Sequence, residues 1–251
     1  MRRSNDDKGS QEGSRAVIGR ITGTGTYTEK MKIPISALFL MMILSVSRSG
    51  AQDSGNAEKG ISFAVESGLN LQNFYGNNSS GESLEYNLTA GFNIGFTAIK
   101  RIVGDLCFET GLFFTTRGAS QEILEDVTRK YKLTYLEIPA GFLYRPVVGE
   151  GHLLLGIGPY IAFGVSGEQN DGEYGTLPAR FMKNADLSEP GYVYFKPFDA
   201  GAGIYSGYEL NSGLYFQMNA LLGTLKINSW YIDDKASKKN IGFGFSGEYR
   251  F

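Results

Sequence analysis

A chain of 251 residues with 42% apolar residues and a net charge of −2 has room for one large domain and carries no basic footprint for nucleic acid. With one cysteine, Cys107, and one histidine, His152, it can form no internal disulfide and offers no Cys/His spacing for a structural metal. Its 34 glycines, 13% aromatic residues and only 7 prolines suit many strands on a curved sheet better than helices.

In chain order, residues 1–30 are polar and aperiodic and include Asp6-Asp7, a poor beginning for an export signal; they are expected to be a non-native or disordered extension, with translation starting at Met31. Lys32 then precedes the continuously hydrophobic run Ile33–Val46. That run is shorter than the roughly 18 residues a helix needs to span a bilayer. With Ser49-Gly50-Ala51 behind it, the run predicts a signal peptide over 31–51, cut after Ala51, and a short segment 52–59 leading into the next domain.

From Gly60 to Phe251 the dominant signal has period two, the repeat of a strand whose faces meet different environments. Ile61, Phe63, Val65, Leu69 and Leu71 alternate with Ser62, Ala64, Glu66, Gly68, Asn70 and Gln72. Leu84 to Ala98 repeats the pattern, as do Leu106 to Phe114 and the segments near 132–144, 152–165, 198–210, 213–222 and 239–251. Eight runs result, each at least about as long as the 9–11 residues of a tilted membrane strand, where soluble strands have about 5–6. Connections at 99–104, 146–151 and 211–212 are short, whereas 76–83, 118–131, 166–197 and 223–238 are long. This asymmetry predicts an all-β, eight-stranded antiparallel up-and-down transmembrane β-barrel over 60–251, in a Gram-negative outer membrane, with both termini periplasmic.

Alternation alone does not say which face is inside. The polar face carries Glu66, Asp105, Glu109, Arg117, Glu137, Asp199, Glu209, Glu248 and Arg250 among many glycines, which fits a narrow lumen better than a solvated surface. Glu66, Glu109 and Glu137 with Arg117 and Arg250 are expected to form an ion-pair lattice there. Tyr86, Phe96, Tyr144, Tyr208 and Tyr249 fall near strand ends, where aromatic girdles belong.

The closing Gly242-Phe243-Gly244-Phe245-Ser246-Gly247-Glu248-Tyr249-Arg250-Phe251 resembles the C-terminal assembly signal of outer-membrane proteins, with Phe243, Phe245, Tyr249 and Phe251 as its aromatic positions. Thr110-Gly111-Leu112-Phe113 with Arg117-Gly118, Tyr135-Leu136-Glu137-Ile138-Pro139, Gly156-Ile157-Gly158-Pro159-Tyr160 and Asp199-Ala200-Gly201-Ala202-Gly203 resemble the PorT-like outer-membrane β-barrel family (outer membrane protein beta-barrel domain). The resemblance covers about 60–251. It implies outer-membrane lipid around the barrel, insertion by the barrel assembly machinery, and a link to secretion of the kind some relatives have.

Catalytic chemistry finds little support. His152 sits at a predicted turn without a Ser/Asp partner motif, and Cys107 lies beside Asp105 and Glu109, which disfavour a thiolate. Pro139 predicts a bulge, and Asp233-Asp234 near Lys235 reads as solvated charge. No cofactor or metal is implied and the chain is not expected to be an enzyme. The expected function is structural or interactive, with an extracellular or secretion-machinery protein meeting the long loops. The alternatives are a narrow channel or proton/cation path through the charged lumen and, further off, an outer-membrane enzyme. The 166–197 loop, with Tyr174, Phe181, Tyr192, Tyr194 and Phe195 among polar residues, is expected to fold over the mouth or bind a partner.

Overall fold

The computed structural model describes residues 60–124, 127–186, 188–229 and 235–251. The expected extension, signal peptide and leading segment over 1–59 lie outside the described residues, as does Asp233-Asp234. The strands are β1 Ile61–Asn77, β2 Thr89–Val103, β3 Leu106–Leu124, β4 Val127–Tyr144, β5 Val147–Val148, β6 Gly151–Asn170, β7 Thr176–Phe181, β8 Val193–Phe195, β9 Phe198–Leu210, β10 Leu214–Gly223 and β11 Ser237–Arg250. Eight of them, β1, β2, β3, β4, β6, β9, β10 and β11, pair antiparallel with their neighbours in order. The β1–β11 ladder from Ala64–Arg250 to Asn77–Ser237 closes the ring. Closure matters because an open edge in hydrocarbon would leave a row of backbone groups unpaired.

Which face is inside follows from burial. Leu69 is 73% exposed on the outer surface, Met218 65% and Ile157 60%, within a belt of exposed Leu, Ile and Phe far beyond the few hundred Å² of apolar patch that soluble monomers show. Glu66, Arg117, Glu137, Asp199, Glu209 and Glu248 are instead buried inside. A soluble ligand-carrying barrel has the reverse arrangement. The register carries the belt round the ring, with Leu69 opposite Phe245 on one side and Phe92 on the other.

At one end, here the turn end, the start of β1 and the C-terminal Phe251 lie beside three tight connections, where Gly104 (φ +54°) and Gly213 (φ +82°) take the left-handed backbone that favours glycine. The opposite, loop end departs from the sequence expectation in three places. Segment 118–131 is not a long loop: β3 and β4 continue as a ladder to Leu124–Val127. Ser120, Glu122, Thr128 and Lys130 end the apolar alternation there, so the pattern stops although the strands do not. Conversely, Leu84 to Leu88 alternates yet precedes β2, and holds to β3 by an Asn87–Ser120 bridge. Within it Tyr86 packs against Phe74 of β1 and Tyr131 of β4, while Leu88 is exposed. Finally, 166–197 contains the end of β6, a 3-10 turn at Gly172–Tyr174, β7 antiparallel to β6, and β8 parallel to β7.

Inside the ring, two apolar layers bracket a polar one. Ile99, Cys107, Leu143, Leu154 and Tyr215 fill the turn end. Phe74, Tyr131, Leu133, Tyr135, Tyr160, Phe195 and Ile227 fill the loop end.

Candidate functional site

The polar middle is built by strands that each contribute an inward position. Arg117 on β3 makes ion pairs with Glu137 on β4 and, at 2.6 Å, with Asp199 on β9. Its Nη1 also donates to the Tyr160 hydroxyl at 3.0 Å, and the guanidinium lies 4.5 Å from the Tyr160 ring centroid. Asn240 Nδ2 on β11 donates to Asp199 Oδ2 at 2.8 Å. One cation thus serves two carboxylates in a water-poor space, where a buried charge persists only when paired and hydrogen-bonded.

A second knot sits nearer the turn end. Arg145 holds Glu209 in a two-pronged contact, Nε to Oε2 at 2.7 Å and Nη2 to Oε1 at 3.0 Å, and Arg250 Nη1 donates to the same Oε2 at 2.6 Å. Sequence reasoning missed Arg145 because it falls beyond the apolar alternation, in the connection after β4. Asp105 is the converse: it lies in the β2–β3 turn, where its carbonyl accepts from the Arg145 N–H, and is not part of the lumen lattice. Arg250 serves Glu209 rather than Glu66 or Glu109, because the strand stagger, invisible in the sequence, sets each side chain's height.

Glu66, Glu109 and Glu248 form the third group. Among the described residues none of them has an ion-pair partner; Thr97 Oγ1 donates to Glu248 Oε1 at 2.5 Å and Asn93 Nδ2 to Glu66 Oε1 at 2.9 Å. Glu66 and Glu109 line a chamber of about 110 Å³ together with Asn70, Asn93 and Gln217. Gly141, Gly158 and Gly203 on β4, β6 and β9 line it as well, beside Phe113, Tyr160 and Tyr205. Such a volume suits a few waters, each occupying about 30 Å³ in the liquid.

Above the chamber, the loop end is stoppered. Phe74, Tyr86, Tyr131 and Phe195 pack ring on ring at centroid distances of 5.6–6.1 Å along the chain of contacts 74–86, 86–131 and 131–195. Phe195 comes from β8 and Ile227 from the β10–β11 loop, both buried, and their segments are joined by a Lys196 N to Ile227 O bond of 2.7 Å. Phe181 on β7 packs its ring 5.8 Å from Tyr135. The 166–197 segment therefore folds over the mouth. Tyr86 belongs to this stopper rather than to an outer aromatic girdle. Beside it, Arg129 grips Asp171 with two 2.8 Å bonds, which hold the Asp171 carboxyl below the usual carboxylate range.

His152 is the second residue of β6, opposite Val147, and Cys107 is buried in the turn-end apolar layer. No group of three or more His, Cys, Asp and Glu side chains with metal-holding geometry occurs among the described residues. Phe243, Phe245, Tyr249 and Phe251 all stand on the outer face, and the Phe251 N–H bonds to the Phe63 carbonyl at 2.9 Å, extending the closure.

No curated protein matches the chain. Solved structures similar to it include Ail, the attachment invasion locus protein of Yersinia pestis, at 12% identity over 77% of this chain and 99% of that one, with a TM-score of 0.37. Neisserial surface protein A is similar at 14% identity, covering 76% and 98%, with a TM-score of 0.40, and the outer membrane protein AlkL at 11%, covering 80% and 94%, with a TM-score of 0.41. The family model described as outer membrane protein beta-barrel domain matches residues 50–227 and so takes in most of the ring and its charged middle. With a closed ring of eight strands, charge within and an apolar belt without, the chain belongs to the outer membrane protein beta-barrel domain family.

Proposed function

We propose that this outer-membrane barrel is a recognition protein whose loop end faces outward and meets a protein or surface partner, with the lumen serving as a structural lattice. The observation that carries the reading is the ordered cap. Loop residues Phe181, Phe195 and Ile227 are committed to packing across the mouth, and this holds the surrounding polar surface in one shape. A preorganised surface binds with less ordering cost than free loops. The turn end and both termini then face the periplasm, the barrel assembly machinery inserts the chain, and no catalytic step is required of it. The PorT-like motifs support a secretion-machinery component as the partner.

Photocrosslinking from Tyr174 and Leu177, both exposed on the cap, tests the reading: a discrete adduct on intact cells is expected. The absence of any adduct from either position, with the barrel correctly inserted, would overturn it. The three carboxylates without cations favour a second reading, a narrow cation path. A unit conductance in planar bilayers that disappears in Glu109→Gln would establish that path, and a silent bilayer removes it.

A further inference from the structure

We propose that the cleft in the loop-end cap binds an acidic saccharide. This rests on the reading of the loop end as the outward recognition surface and adds the chemistry of the ligand. The cleft has a volume of about 760 Å³, within the range of about 300–1,000 Å³ typical of small-molecule sites, and its walls include Tyr86, Tyr131, Phe195, Gln121, Gln169 and Lys238. Aromatic faces and planar amides therefore share one concave surface. Rings present flat apolar faces to the C–H groups of a pyranose, and amides offer a donor and an acceptor side by side to its hydroxyls.

Lys238 supplies the charge. Its ammonium sits 5.4 Å from the Tyr86 ring centroid and 5.0 Å from that of Tyr131. No carboxylate of the described residues pairs with it, whereas Arg117, Arg129, Arg145, Arg180 and Arg250 all have one. A cation fixed on two rings is partly desolvated and aimed, which strengthens its pull on an anion entering the same space. A single cation among amides fits a sugar bearing one carboxylate or phosphate per few rings better than a polyphosphate, which needs several cations. The Gln169 Nε2 already donates to the Asp171 carboxyl at 3.1 Å, so the amide that an apolar chain would leave without a partner is that of Gln121. Two sources present this chemistry: uronic-acid glycans of another surface and phosphorylated sugars of outer-leaflet glycolipid.

The neighbouring lysine provides an internal control. Lys239 carries the same charge one residue on, but stands on the opposite face of β11, 5.6 Å from the Tyr75 ring. The full chain in phosphatidylcholine nanodiscs is titrated calorimetrically with oligogalacturonate, neutral maltohexaose and galactose phosphate. Expected are saturable binding of an acidic sugar, at least tenfold weaker binding of maltohexaose, and a loss of tenfold or more in Lys238→Gln but not in Lys239→Gln. Tighter binding of galactose phosphate assigns the glycolipid source, and tighter binding of oligogalacturonate the glycan source. Heat-modifiable gel migration monitors folding of each variant, with Gln121→Ala as a second, milder change expected to weaken binding several-fold. Equal losses in the two lysine variants, or no binding of any sugar, would overturn the proposal. A loop-end protein adduct accompanied by no sugar binding would leave the recognition reading intact and remove this inference alone.

Discussion

The middle of the lumen turns on Arg117, a single guanidinium between two buried carboxylates. Arg117→Met strands Glu137 and Asp199, and removing one partner of such a set costs about 3–5 kcal/mol. Urea unfolding of the refolded protein in detergent should register that loss, and adding Glu137→Gln with Asp199→Asn should recover most of it because no bare charge then remains. An Arg117→Met midpoint equal to the parent's would refute the account. The Arg129–Asp171 clip gives a pH signature. Arg129 depresses the folded Asp171 carboxyl below its unfolded value, so the clip contributes stability throughout the range above the ordinary carboxylate value near 3.8 and loses it as pH falls through the lower folded value. Proteolysis of the cap should therefore be unchanged from neutral to mildly acidic pH and rise only in strong acid; an onset above pH ~5 would contradict it. The inward orientation of Glu66, Arg117 and Asp199 was legible from parity alone. Their partners were not, because stagger between strands decides which side chains share a level.

Elements show the same division. Long apolar-polar runs announced the belt-crossing parts of the strands, but β3 and β4 outrun the belt on polar residues and β7 and β8 are too short to leave a pattern. Pro139 interrupts the ladder of β4 with β3 between the Thr110–Ala140 and Phe113–Glu137 pairs, as its missing N–H requires, and Thr110 Oγ1 donates to its carbonyl at 2.8 Å. Strand packing there is tight. A Cβ on Gly158 would lie 2.2 Å from the Ala140 carbonyl oxygen and 2.5 Å from the Gly141 Cα, backbone atoms that cannot swing aside. Gly158→Ala should lower stability by about 1–3 kcal/mol, the usual penalty of overpacking. Gly247→Ala, whose Cβ would meet only the Phe216 ring at 3.8 Å, should refold like the parent. Comparing folded fractions on unheated gels decides; equal yields would mean that the β4–β6 wall gives more freely than its geometry implies.

For the whole molecule, the belt predicts a compact band on unheated SDS gels that boiling abolishes. Phe245, 56% exposed and stacked on Phe216, lies within that belt, and Phe245→Arg should cost about 2–4 kcal/mol if it reaches the bilayer midplane. Outer-membrane abundance of the variant should fall sharply; an unchanged level would place water, not lipid, on that face. The proposed orientation is checked with single cysteines, since native Cys107 is buried. An impermeant maleimide should label Leu225→Cys on intact cells and Val148→Cys only after lysis, and the reverse pattern would turn the barrel over. β10 has 10 residues, which at about 3.3 Å each and a tilt near 40° just cover a band of about 25 Å. β3 has 19, β4 has 18 and β6 has 20, so on the same arithmetic that side stands about 20 Å taller. With the loop end outward, the rim is a parapet highest along β3, β4 and β6 and lowest at β10. Antibodies and phage would touch the β3–β4–β6 crest above the surrounding sugar coat, while the low β10 side stays in its shade.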